Sequence, residues 1–261
     1  MRIAQIVLPG ASAYERKCQR VDHAALSGKH EVTLVSLPEL SRGSADVAHL
    51  YATGELPKVE LPLPYVSSAP MPQRRWQWRR PLPPKFVLSP PDVPEAVENF
   101  WFDAVHAPAG RDVKVVGSFV RPGMRPMVEK TLSRISRFRS DVTWNLYDRE
   151  PTPADLSDVD AWVDPAPSEN DLDGFVAEAL VLGLPIVAAR TPMNAWRLEQ
   201  GRTGFLVPLN DPNEMTHAIL TALFKVEVAE NKKNAARQTV SKFRARQRLR
   251  ILQTLYEQTI S

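Results

Sequence analysis

The residues best placed to do chemistry lie between positions 164 and 212. Asp164-Pro165 closes a short apolar strand, and a polar loop follows it. The loop opens a helix at Gly174, and Glu178 sits one turn into that helix. A helix N-terminus turns free N–H groups and the positive end of a dipole toward an anion such as a phosphate. An ionised carboxylate has two acceptor oxygens, so Glu178 can take hydrogen bonds from two neighbouring hydroxyls, as on a ribose. Upstream, Arg121 and Arg125 share one loop, and each guanidinium can hold a phosphate through two N–H groups. The plain alternatives are a surface carboxylate on a helix and a solvated arginine loop.

These groups need an α/β frame to position them. Ile3 to Leu8 is an apolar run rich in Ile and Val, as a buried parallel strand requires. A turn at residues 9–12, a helix from Tyr14 to Leu26, a strand over Glu31–Val35 and a third over Ala45–Tyr51 follow. This βαβ beginning predicts a parallel sheet with right-handed crossovers. A second series starts with a strand at Val113–Phe119 and a helix at Pro126–Phe138. Strands follow at Val142–Leu146 and Asp160–Val163, then a helix at Gly174–Leu182 closed by Gly183. Pro185–Ala189 is the next strand, Trp196–Glu199 a helical turn, and Gly204–Pro208 a last strand. Asp211-Pro212 caps a helix running to about Phe224. In an open parallel sheet ligands sit beyond the C-terminal strand ends, which is where the polar residues above fall. No Gly-x-Gly-x-x-Gly follows the first strand, which argues against a dinucleotide-binding dehydrogenase.

The composition narrows the class. The chain has 261 residues, 43% hydrophobic and 24% charged, which suits a soluble protein of two lobes or one large domain. A net charge of +3 is too small to argue for nucleic acid, but it suits an anionic ligand or surface. The single cysteine, Cys18, permits no intramolecular disulfide and points to a reducing compartment. The N-terminal apolar run is too short for a signal peptide, and no run of 18 apolar residues exists. The location expected is cytoplasmic, with peripheral contact at an anionic inner membrane face as the sharper reading. That reading rests on Arg74-Arg75-Trp76-Gln77-Trp78-Arg79-Arg80 and on the basic stretch Lys225–Arg250, for which the plain alternatives are a solvated loop pinned by its tryptophans and a solvated helix face. Prolines number 24, and eleven of them lie between Pro57 and Pro94. Such a stretch is expected to be an extended linker rather than a helix or a central strand.

Five elements between residues 164 and 212 together resemble the donor-site signature of glycosyltransferase family 4, a family of retaining enzymes with the GT-B fold. They are an acidic loop, Glu178-Ala179-Leu180, Gly183-Leu184-Pro185-Ile186-Val187-Ala188, Gly201-Arg202-Thr203-Gly204-Phe205-Leu206-Val207-Pro208 and Asp211-Pro212. The likeness covers residues 113–224, and Gly28-Lys29-His30-Glu31-Val32-Thr33 matches the opening of the family's other lobe. It implies an α/β protein of two Rossmann-like lobes. An N-terminal, acceptor-side lobe over 1–56 is shortened, 57–94 is a linker or wrapping segment, 95–224 is the nucleotide-sugar lobe, and 225–261 is a basic helical segment.

The resemblance implies that Glu178 holds the donor ribose and that Asp173, Gly174 and Phe175 face the donor sugar. Thr191, Pro192 and Met193 form the turn whose amides face the diphosphate. The sequence departs from the family at three places. Asn170 stands where the family has its first acidic residue, flanked by Glu169 and Asp171. Pro192-Met193 replaces Gly-Gly. Ser118 and Gly123 stand where a basic pair grips the diphosphate, with Arg121 and Arg125 nearby as substitutes. The activity implied is retaining transfer of a sugar from a nucleotide diphosphate sugar to a hydroxyl acceptor, without metal or other cofactor. A sugar-nucleotide-binding or interaction protein that has lost transfer is the alternative.

Overall fold

The first apolar run forms β1 (Arg2–Val7), which pairs in parallel with β2 (Glu31–Leu34) and β3 (Val47–Tyr51). In the computed structural model, residues 1–52, 61–68, 95–106 and 112–261 are described, with the backbone of 86–87. The chain divides into two units, Met1–Glu98 with Lys242–Ser261, and Asn99–Ser241.

In the first unit the sheet order is β2-β1-β3-β4-β5, all parallel, with β4 at Tyr65–Ser68 and β5 at Phe86–Val87. Strand residues alternate between the two faces. Ala4, Ile6, Leu8, Ala48, Leu50 and Ala52 pack on one side with Leu40 and Ala45. Ile3, Val47 and Val66 pack on the other with Leu26 of α1 (Ala13–Leu26) and Leu252 and Tyr256 of the C-terminal helix (Ala245–Ile260). Helix α1 starts at Ser12, whose capping box with Glu15 satisfies the first free N–H groups.

Two expectations are corrected here. The proline-rich stretch does contain a central strand. Tyr65–Ser68 is free of proline, and Pro62 and Pro64 fall just before it, so its N–H groups complete a ladder between β3 and β5. Arg74–Arg80 lies outside the described residues. The basic segment after Lys225 is also not one element. It divides into α8 (Val226–Thr239), which belongs to the second unit, and α9 (Ala245–Ile260), which belongs to the first. The amphipathic pattern of α9 explains this: Arg248, Leu252, Tyr256 and Thr259 recur at intervals of three and four, and all are buried.

The second unit begins with α2 (Asn99–Asp103), β6 (Lys114–Phe119), α3 (Arg125–Ile135) and β7 (Val142–Tyr147). It continues with α4 (Pro153–Ser157), β8 (Ala161–Asp164), α5 (Val176–Val181), β9 (Ile186–Ala189), α6 (Pro192–Arg197), β10 (Phe205–Val207) and α7 (Pro212–Phe224). The sheet order is β10-β9-β8-β6-β7, again all parallel. Counted within its own unit, each sheet therefore runs 2-1-3-4-5, the doubly wound order whose ligand crevice opens where the chain reverses direction across the sheet. In the second unit that point lies between the C-terminal ends of β6 and β8. Val116, Val163, Val187 and Val207 from four strands pack against Met127 and Ile135 of α3 and Met215 and Ile219 of α7. Cys18 is buried, as its helical position suggests, and burial pushes its thiol up to about 11.

Candidate functional site

Asp164 ends β8 at the reversal point and is fully buried. The chain brings three donors to its carboxylate. The Arg121 guanidinium, just past β6, pairs with Oδ1. The Ala166 N–H donates to Oδ1 at 3.1 Å, and Asn194 Nδ2 on α6 donates to Oδ2 at 2.6 Å. Burial alone would push the Asp164 carboxyl up, but the charge of Arg121 and the bonds from Asn194 and Arg121 hold it below its ordinary value.

The loop between β8 and α5 is fixed through three consecutive carbonyls. Leu172 O accepts from Arg197 Nη2 at 2.8 Å, Asp173 O from Arg121 Nη1 at 3.2 Å, and Gly174 O from Trp162 Nε1 at 2.7 Å. Gly174 must be glycine, because a Cβ there would overlap the Asp164 carboxylate. Phe175 then caps α5 in the left-handed region, at φ 51° and ψ 28°, with its ring edge-to-face on Phe119 at 5.0 Å. A non-glycine residue in that region costs energy and persists only where its surroundings fix it. The helix thus starts at Val176, two residues later than the sequence suggests, because the Gly174 carbonyl is held by Trp162 and Phe175 sits in the left-handed region.

The expected site residues fall in three groups. Asp173, Gly174, Phe175, Thr191 and Met193 do gather at the C-terminal ends of β8 and β9, and Glu178 lies on the first turn of α5, wholly buried. Ser118 is committed to the sheet: its hydroxyl donates to Val163 O at 2.6 Å and accepts from Trp144 Nε1 at 2.9 Å. Asn170 is exposed on the loop. Arg121 is buried among Asp164, Asp171 and the Asp173 carbonyl, whereas Arg125, at the start of α3, is exposed and makes no hydrogen bond or ion pair among the described residues.

The turn at 191–193 offers an anion less than its place suggests. Thr191 N donates to Ala189 O at 2.9 Å, and its hydroxyl takes the Asn194 N–H at 3.0 Å. Pro192 has no N–H, which leaves the amide of Met193. Beside it stands Arg190, exposed at the end of β9, with its backbone N–H on Val207 O at 2.7 Å. Sequence reasoning missed Arg190, Asn194, Arg197 and the part played by Asp164. The usable signal was that Asn194 and Arg197 stand one helical turn apart within an otherwise apolar segment. His106 is tied to the sheet rather than to this site: its Nε2 lies 3.0 Å from Val159 O.

Residues 103–224 match the family model described as glycosyl transferases group 1. The whole chain is similar in fold to solved glycosyltransferases. The enzyme from Rickettsia africae ESF-5 aligns with a TM-score of 0.65 at 11% identity, over 100% of this chain and 99% of that one. HepE of Anabaena, solved in complex with UDP, aligns with a TM-score of 0.66 at 13% identity, over 98% and 100%. AviGT4, a glycosyltransferase involved in avilamycin A biosynthesis, aligns with a TM-score of 0.60 at 14% identity, over 99% and 98%. No curated protein matches the chain in sequence. The fold is therefore that of the GT-B glycosyltransferases, with two parallel-sheet α/β units, and the group 1 match falls on the unit that holds the site.

Proposed function

We propose that the protein transfers a sugar from a nucleoside diphosphate sugar to a hydroxyl acceptor with retention, and that the second unit holds the donor. The observation that carries this reading is the arrangement at the reversal point of β6 and β8. A buried Asp164–Arg121 pair fixes Gly174 and the loop before Glu178, and Arg125 and Arg190, exposed beyond the ends of β6 and β9, make no side-chain hydrogen bond or ion pair among the described residues. HepE, which shares the fold, is also solved with UDP and glucose together, which supports a nucleotide-sugar ligand here. Glu178 receives the ribose hydroxyls, and because its carboxylate is buried, the side chains around it must shift to admit them. Arg125, Arg190 and the Met193 amide take the diphosphate. The leaving diphosphate gathers charge in the transition state, and positioned cations stabilise it there without a metal.

A binding protein without transfer is the second reading, favoured by Pro192, which removes an amide that would otherwise face the phosphates. Incubation with nucleotide sugars and a panel of hydroxyl acceptors decides between them. Release of nucleoside diphosphate with a glycoside of unchanged anomeric configuration, followed by NMR, supports transfer. Tight binding with no product supports the second reading.

A further inference from the structure

Arg121 has three kinds of contact, and one differs from the rest. Its two terminal nitrogens are hydrogen-bonded, one to Asp164 and one to Asp173 O. Its Nε lies 3.0 Å from Asp171 Oδ2, yet neither atom makes an aligned hydrogen bond among the described residues, although both are buried. This contact is charge pairing without directional bonding, the weaker kind. Asp171 sits on the loop between β8 and α5, one residue before the three carbonyls that are pinned. The groups that face it are Arg121, Asp164, Asp173 and Arg197. Burial pushes its carboxyl up to about 6, and the charge of Arg121 only partly offsets this. Asp164, by contrast, has added bonds from Ala166 and Asn194 that anchor it.

We propose that Asp171 is a displaceable counter-ion: it covers the Nε edge of Arg121 in the free protein and yields that edge to an oxygen of a diphosphate. The inference rests on the nucleotide-sugar reading and adds to it a residue that sets affinity by competing with the ligand. A phosphate oxygen aligned with the Nε–H gains a charge-assisted bond. Asp171 gives up only an unaligned contact, and its carboxylate regains water or takes a proton. Arg121 then serves both the loop, through Asp164 and the Asp173 carbonyl, and the ligand, through its third nitrogen.

The test is calorimetric binding of UDP to the wild type and to Asp171→Asn at two pH values. An opposing charge at this range is worth about tenfold or more, so Asp171→Asn binds UDP about tenfold more tightly at pH 7.5. At pH 5.5 the wild-type carboxyl is mostly protonated and competes little, so the ratio of the two affinities falls to within about twofold. Titration of the phosphate itself is the same for both proteins and cancels in that ratio. Equal affinities at pH 7.5, or weaker binding by Asp171→Asn, overturn the proposal and leave the nucleotide-sugar reading standing. Failure of both proteins to bind UDP or any other nucleoside diphosphate overturns both.

Discussion

The α-carbon of Gly174 lies against the carboxylate of Asp164, ten residues earlier, so closely that a single added methyl group would overlap it. This contact joins the end of β8 to the start of α5 and fixes the distance between the strand end and Glu178. Gly174→Ala has to move either the loop or the Asp164 carboxylate with its partners. Overpacking of this kind costs about 1–3 kcal/mol, read in denaturant unfolding. The same substitution weakens nucleotide binding, because Arg121 and Asn194 lose their common anchor.

In the first unit Asp22 of α1 and Arg248 of α9 form a buried two-point ion pair, at 2.5 and 2.8 Å, and Tyr51 donates to the same carboxylate at 2.9 Å. Arg248→Ala strands the carboxylate of Asp22 without its cation. Breaking a buried pair from one side costs about 3–5 kcal/mol, and adding Asp22→Leu to that variant recovers part of the loss. Urea unfolding of the two variants checks the order. A single variant no less stable than the double one contradicts it.

Arg125 and Arg190 are expected to meet the diphosphate. The double change to alanine lowers affinity for UDP and leaves that for uridine nearly unchanged. It also flattens the salt dependence of UDP binding, since screening acts on these exposed charges. Calorimetry across a salt series measures this, and identical slopes for both proteins rule the clamp out.

His49 is fully buried between Tyr256, whose OH is 2.6 Å from Nδ1, and Ser68, whose Oγ is 2.7 Å from Nε2. Burial first, and then the charge of Arg248, hold its pKa well below the ordinary 6.5. The unfolded chain takes up a proton as pH falls below 6.5, while folded His49 does not, so stability falls with acidification from that point. Asp171 acts in the opposite sense: its folded pKa, about 6, lies above the ordinary 3.8, so it contributes a penalty above pH 6 that fades as pH falls toward 3.8. His49→Gln therefore flattens the acid limb of the first unit, and Asp171→Asn stabilises the second unit at neutral pH and not at pH 4. Unfolding followed across that range separates the two effects.

Much of this was legible in the sequence. The strands at 186–189 and 205–207 and the helix from Pro212 announce themselves because these short runs are bounded by Gly183, Pro208 and Asp211-Pro212, residues with definite backbone preferences. Four-residue β4 was hidden by the prolines around it, since composition averages over a window longer than the strand. The central cluster was hidden for another reason. Arg121, Asp164, Asp171 and the Asn194–Arg197 pair on α6 come from four segments, and no spacing in the chain relates those segments until the sheet order is known. Arg121 read as a free phosphate ligand because its carboxylate partners lie 43 and 50 positions away. The residues of the last helix do not by themselves name their partners in the first unit, because the pairing of His49 with Tyr256 spans 207 positions.

In the proposed function the second unit binds a nucleoside diphosphate through Glu178. Titration calorimetry of UDP and GDP into the wild type and Glu178→Gln tests it most directly. The wild type is expected to bind at least one of them, and the variant, which keeps the shape but loses charge-assisted bonds to the ribose, to bind more weakly by about 1.5–3 kcal/mol. Equal binding by both proteins, or no binding of either nucleotide to the wild type, contradicts it.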